Sequence, residues 1–231
     1  MLDPQFMQVV SQIEGGFGTE NVGPLLYSLI KFCRPKSVLE VGAGYSTLFI
    51  LKALKDNLDG DQMERVQGDF PYGSTEYYDT SYEPILTSLD DFSHPRSVAK
   101  IIYNFALFLE LDKFIAFKDA DFRGFSNQID PNILPFDFVW FDCGGLREYE
   151  DFIDEYWKLI NPDGGIIVLH STQTNLQLQF FIQTIKLRQA TSEFLNFELL
   201  SLLEPHKQIQ NSVTMIRMTS KVKNPLYTIH P

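Results

Sequence analysis

The chain has almost no cysteine: Cys33 and Cys143 are the only two among 231 residues. They lie far apart without metal-ligand spacing, so neither a disulfide framework nor a zinc site is indicated, and two buried free thiols are expected. Long apolar runs are also missing. The N-terminal stretch MLDPQFMQVVSQIEGGFG has no basic region followed by an apolar segment, and nothing later approaches the length of a bilayer span. A cytoplasmic protein without a membrane partner is expected from this. Cations are scarce relative to acids, with 19 Lys and Arg against 30 Asp and Glu and a net charge of -11. No basic cluster reverses that balance locally, so phosphate backbones are repelled and nucleic acid is excluded as a substrate. Repeats and low-complexity tracts are absent as well.

What is present suffices for one substantial core. The 44% hydrophobic content is ordinary for a globular domain, and one domain over residues 1–231 is the default. Residues 1–34 read as two helical stretches, the second over Val22 to Phe32 and closed by Pro35. They are the candidate helical substrate or lid region. SVLEV then reads as a strand, GAGYS as a tight turn and TLFILKALKD as a helix packed on a sheet. Residues 57–84 are polar, with Tyr72, Tyr77, Tyr78 and Tyr82 among Gly60, Gly68, Pro71 and Gly73, and read as an insertion or lid. Its tyrosines either line an aromatic pocket or anchor the loop on the core.

Beyond it strands and helices alternate. PILTSLDD, KFIAFKDAD, FDFVWFDCGG and GGIIVLHST have strand character, and RSVAKIIYNFALFLEL and REYEDFIDEYWKLI helical periodicity. A further helix over Leu176 to Leu187 precedes FELLSLLEP and SVTMIRMT, which can pair as an antiparallel hairpin. Such alternation implies an α/β fold with a parallel sheet. The turn EPHKQIQNS of the hairpin reads as solvated, with a subunit contact or substrate rim as the sharper alternative.

The segment Glu40, Val41, Gly42, Ala43, Gly44, Tyr45, Ser46 puts small residues where a chain turns from strand to helix, so that backbone can approach a ligand closely. A dinucleotide site would require a third glycine at position 47 and an acid about 20 residues on. Thr47 and the long polar stretch both fail that test. A nucleotide-dependent oxidoreductase therefore has the glycine loop as its only argument.

VLEVGAGYS resembles the first motif of the class I S-adenosylmethionine-dependent methyltransferases, in which an acid precedes a glycine loop. The resemblance covers about Val22 to Thr219 in the order and type of elements. It implies a Rossmann-like doubly wound, mostly parallel seven-stranded sheet with a C-terminal antiparallel hairpin, and S-adenosylmethionine as cofactor. It also implies a cofactor site made of Glu40, Gly42, Gly44, Tyr45 and Ser46, with acids from three further strand ends. These are Asp90, with Asp91 beside it, for the ribose hydroxyls; Asp119, with Asp121 second, near the adenine; and Asp142 at the fourth strand. Ligands in open α/β sheets sit beyond the C-terminal strand ends, where these acids are expected to converge on a cationic cofactor.

The chain is similar, within that family, to the small-molecule O-methyltransferases of the catechol type, many of which hold a divalent metal. Their ligands are an acid at the fourth strand and an Asp-Asn pair at the fifth. Asp142 meets the first position, but His170 and Ser171 stand at the pair, and two ligands make a weak site for a hard cation. No metal ligand set is therefore assigned. The expected reaction is metal-independent transfer to a hydroxyl, or an amine, of a small-molecule acceptor. In it His170 removes the acceptor proton and Asp142 orients His170 or contacts substrate. His94, His206 and His230 have weaker claims. The alternatives are a protein-modifying methyltransferase and a cofactor-binding scaffold or regulatory subunit without chemistry. Antiparallel edges and the N-terminal helices make a homodimer a possible assembly.

Overall fold

Strands β1 (Ser37–Val41), SVLEV, and β4 (Phe138–Phe141), FVWF, are buried at every position. Burial on both faces is the signature of central strands in a parallel sheet covered by helices on each side. In the computed structural model, which describes residues 2–13, 18–68, 80–189 and 196–219, β1 pairs in parallel with both β2 (Ile85–Asp90) and β4. β3 (Ile115–Asp119) adds to β2, and β5 (Ile166–His170) adds to β4, again in parallel. β7 (Ser212–Met218) runs antiparallel to β5 and pairs with β6 (Phe197–Leu203), so the order is β3-β2-β1-β4-β5-β7-β6. The expected seven-stranded, mostly parallel sheet with an antiparallel C-terminal hairpin is what forms. The strand order reverses between β1 and β4, the switch point at which such sheets open a crevice.

Two apolar layers flank the sheet. On one face α1 (Pro4–Val10), α2 (Val22–Cys33), α3 (Tyr45–Gln67) and α4 (Ala99–Phe108) bury Phe6, Leu26, Ile30, Phe49, Leu54 and Ile102 against Val38, Leu86 and Trp140. On the other, α5 (Leu146–Tyr156) and α6 (Leu176–Arg188) bury Phe152, Tyr156, Phe181 and Ile182 against Leu39, Phe141 and Leu169. The strands' alternation sends neighbouring residues to opposite layers: Trp140 enters the first and Phe141 the second.

Two expectations are corrected. Residues 57–67 of the expected 57–84 insertion instead continue α3, which runs to Gln67 and ends at Gly68 in the left-handed region, φ 66°, while residues 69–79 lie outside the described residues. The ion pairs Lys52–Asp56 at 2.6 Å, Lys55–Asp59 at 2.5 Å and Asp61–Arg65 at 2.6 Å follow helical i,i+4 spacing and carry the helix through its polar turns. Asn57 itself is buried, with Nδ2 donating to the Ile30 carbonyl at 2.8 Å. Tyr82 is buried as an anchor, its hydroxyl donating to Pro35 O at 3.0 Å. Tyr72, Tyr77 and Tyr78 lie outside the described residues. The second correction concerns the thiols: Cys33 is exposed on the last turn of α2, and Cys143 is half-buried. Among the described residues no helix is long and apolar enough to cross a membrane.

Candidate functional site

The C-terminal ends of β1, β2, β4 and β5 open onto one cleft, in two lobes of about 440 and 430 Å³. Both lobes are lined by Gly42, Asp90, His94, Asp142, Cys143 and Gly144. Gly42 has φ 92°, and a Cβ there would stand 2.4 Å from the Asp142 carbonyl oxygen, so only glycine lets the β1 turn pass this close to the end of β4. At Gly44 the opposite holds, because a Cβ would meet nothing within 4 Å. The backbone there is left open toward the cleft, as a cradle for a ligand requires.

Asp90 ends β2 beside this loop. Its Oδ2 accepts from Ala43 N–H at 3.1 Å, while Oδ1 accepts from Phe92 N–H at 2.8 Å and Ser97 Oγ at 3.3 Å. Oδ2 keeps acceptor capacity for a hydroxyl donor. Burial holds the Asp90 carboxyl above its usual range against these hydrogen bonds. Asp91 lines the second lobe, is exposed, and accepts from Ser93 N–H at 2.9 Å. Tyr45 and Ser46 line the first lobe, and Tyr45 packs on Phe49 with ring centroids 5.1 Å apart.

Two of the expected acids are elsewhere. Glu40 lines neither lobe; it is fully buried. Its carboxylate accepts from Ser46 Oγ at 3.1 Å, Thr47 Oγ1 at 2.8 Å and Ser88 Oγ at 2.7 Å. Strand alternation turns it under α3, where these hydrogen bonds tie the start of α3 to β2. Thr47 Oγ1 in turn accepts from Gly44 N–H at 2.9 Å. Asp119 is exposed at the edge of the sheet and lines neither lobe; Asp121, two residues on, lines the second.

Asp142 and His170 meet. His170 Nδ1 lies 2.7 Å from Asp142 Oδ1, with side-chain exposures of 1% and 30%. His170 Nε2 is buried without a hydrogen-bond partner. Both residues of the pair line the first lobe, and Asp142 is the more exposed of the two. Tyr149 holds the end of β5 by donating its hydroxyl to the His170 carbonyl. Among the described residues no three His, Cys, Asp or Glu side chains gather as a metal-binding group.

Several shaping residues were not singled out in the sequence. Arg123 pairs with Glu148 at 2.6 Å, Asp151 at 2.7 Å and Asp121 at 3.3 Å, and its guanidinium lies 5.0 Å from the Phe122 ring centroid. It walls the second lobe. Glu148 accepts from Gly145 N–H at 2.8 Å, a helix-capping contact legible as glutamate three residues after the glycine that precedes α5. Over the first lobe, the hairpin turn meets the N-terminal segment. Lys207 Nζ donates to Gly18 O at 2.9 Å and pairs with Glu204 at 3.0 Å, while Ile13, Thr19 and Gln210 line the lobe. Within that turn Lys207 is half-buried and Gln210 reaches the lobe. His94 lines the cleft, and His206 is exposed beside Asn21 at 3.4 Å.

No family model and no curated protein matches the chain. Solved structures do. An O-methyltransferase from Bacillus cereus in complex with SAH superposes with a TM-score of 0.64 at 14% identity, over 95% of this chain and 92% of that one. TomG, an O-methyltransferase from Streptomyces achromogenes involved in tomaymycin synthesis and solved with SAM, gives 0.61 at 14% identity over 95% and 91%. The SAH-bound methyltransferase PaMTH1 from Podospora anserina gives 0.59 at 14% identity over 94% and 89%. At such identities the likeness establishes a shared fold across nearly the whole chain.

Proposed function

We propose that this chain is an S-adenosylmethionine-dependent methyltransferase that acts on a hydroxyl, or an amine, of a small molecule. One observation carries the reading: a glycine loop with an open α-carbon at Gly44 shares a single cleft with Asp90 at the end of β2 and Asp142 at the end of β4. Neighbours of the same fold were solved with SAM or SAH, which supports the cofactor. The lobe volumes fall within the range of small-molecule sites and support a small acceptor.

The residues divide the work between the lobes. Gly42, Ala43 and Gly44 present backbone at close range, and Asp90, fixed by Ala43 N–H, accepts from the ribose hydroxyls. Asp91 and Asp121 stand in the second lobe, where the adenosine end is held. Bound there, S-adenosylmethionine supplies an electrophilic methyl group on a sulfonium. The acidic cleft favours that positive charge. Ile13, Tyr45 and Leu178 line the first lobe and keep water from the acceptor.

Asp142 stands at the junction of the lobes and takes the acceptor proton, which becomes acidic as the oxygen–carbon bond forms. His170 supports it by donating Nδ1–H to Oδ1, which leaves Oδ2 as the oxygen to take that proton. The donor set supports a metal-independent reaction: His170 Nδ1 is engaged by Asp142, and Ser171 supplies a neutral hydroxyl where the related metal enzymes carry a second ligand.

The test is SAH release with a panel of phenols, catechols, aliphatic alcohols and amines. Asp142→Asn should lower turnover by about a hundredfold, the usual scale of a general base, while calorimetry shows SAH binding within a few-fold of wild type. Cofactor binding without turnover on any acceptor would leave a scaffold. Methylation confined to a peptide array would make the substrate a protein.

A further inference from the structure

Among the described residues, five other than glycine have a positive φ: Arg34, Phe92, Glu110, Ser171 and Gln210. Arg34 and Glu110 stand just past the ends of α2 and α4, where a left-handed residue commonly terminates a helix. The other three border the cleft. Ser171 and Gln210 line the first lobe, and Phe92 stands between Asp91 and Ser93 of the second. Phe92 has φ 54°, a conformation to which an aromatic side chain is poorly suited. Such a backbone persists only where its surroundings hold it there.

The ring makes the holding contacts. It packs on Phe117 of β3 with centroids 5.8 Å apart, and Lys100 Nζ of α4 lies 5.0 Å from the Phe92 centroid. Phe117 is in turn 6.1 Å from Tyr103, also of α4. At these separations aromatic and cation–π pairs attract. The backbone held in this way makes a bond of its own, for Phe92 N–H donates to Asp90 Oδ1 at 2.8 Å. The other donor to that oxygen, Ser97 Oγ, is longer at 3.3 Å. Phe92 N–H is therefore the main constraint on Oδ1, as Ala43 N–H is on Oδ2.

We propose that Phe92 is a positioning residue for Asp90: its ring, packed against Phe117 and Lys100, holds a left-handed backbone whose N–H fixes the carboxylate presented to the ribose. This rests on Asp90 as the acceptor for the ribose hydroxyls. With alanine at this position the ring contacts vanish, the backbone relaxes toward negative φ, and the N–H turns away from Oδ1. A carboxylate free to rotate must then be ordered by the hydroxyls themselves, which lowers affinity for a ligand that carries them.

The test compares binding of SAH and of its analogue lacking both ribose hydroxyls, by calorimetry on the full chain. Wild type should favour SAH by roughly ten- to a hundredfold, the scale of one charged acceptor. Phe92→Ala should bind SAH roughly tenfold more weakly, as for a lost charge-assisted hydrogen bond, and the analogue as wild type does. A general loosening of the loop would weaken both ligands alike. Phe92→Tyr keeps a ring on Phe117 and should keep the wild-type preference. Should Phe92→Ala fail to fold, Phe117→Leu removes the ring it rests on and should give the same selective loss. Either variant with the wild-type preference, or weakened equally for both ligands, would overturn the proposal and leave the assignment of Asp90 standing. A wild type without preference would overturn both.

Discussion

Glu40 offers the sharpest test of how the cofactor loop is built. Its carboxylate is wholly buried, and the three hydroxyls of Ser46, Thr47 and Ser88 stabilise the ionised form without matching the solvation it has lost. Burial pushes the group from 4.5 up to about 7. Between those values the folded protein holds a proton that the unfolded chain releases, so stability falls as the pH rises. The contribution is fully present below about 4.5 and is lost through about 7. At about 1.4 kcal/mol for each pH unit between the two values, the loss approaches about 3 kcal/mol. Glu40→Gln cannot ionise and keeps an acceptor for the same hydroxyls. Urea unfolding of both proteins at pH 4.5, 6, 7 and 8 isolates the residue, because every other titrating group cancels in the difference. Near-equal stabilities at the lowest pH should give way to an advantage of about 3 kcal/mol for the glutamine variant at pH 8. Parallel pH profiles would refute the reasoning, because they require Glu40 to titrate alike in the folded and the unfolded chain.

Two further outcomes follow from the site. Gly42→Ala forces a side chain into φ 92° and against the Asp142 carbonyl, so it should cost roughly 1–3 kcal/mol in a thermal or urea unfolding assay. A variant as stable as wild type would mean that the turn and the end of β4 are not held this tightly. Asp90→Ala removes a charged acceptor worth about 1.5–3 kcal/mol, so SAH binding by calorimetry should weaken by roughly ten- to a hundredfold. An unchanged affinity would remove Asp90 from the cofactor site.

Much of the fold was legible because its signals are local. The buried runs SVLEV and FVWF, the small residues of GAGYS between a strand and a helix, and the alternation of strands and helices each reflect backbone requirements met by neighbouring residues. Gly42, Gly44 and Asp90 were found in this way, since a residue at a strand end or turn has its place set by the element that carries it.

The rest depended on what lies across the sheet. Whether Glu40 meets a ligand or a cluster of hydroxyls is decided by which face of β1 lies under α3, and Ser88 enters that cluster only through the β1–β2 register. The polar turns of α3 look like an insertion until ion pairs and the α2 carbonyl that receives Asn57 are seen to hold them. Asp142 and His170 are 28 positions apart, and only the adjacency of β4 and β5 makes them a pair. Sequence alone determined that a glycine loop and strand-end acids share one edge of a parallel sheet. Tertiary structure decided which acids face the cleft, because hydrogen-bond partners and burial are set by neighbours that the chain supplies from elsewhere.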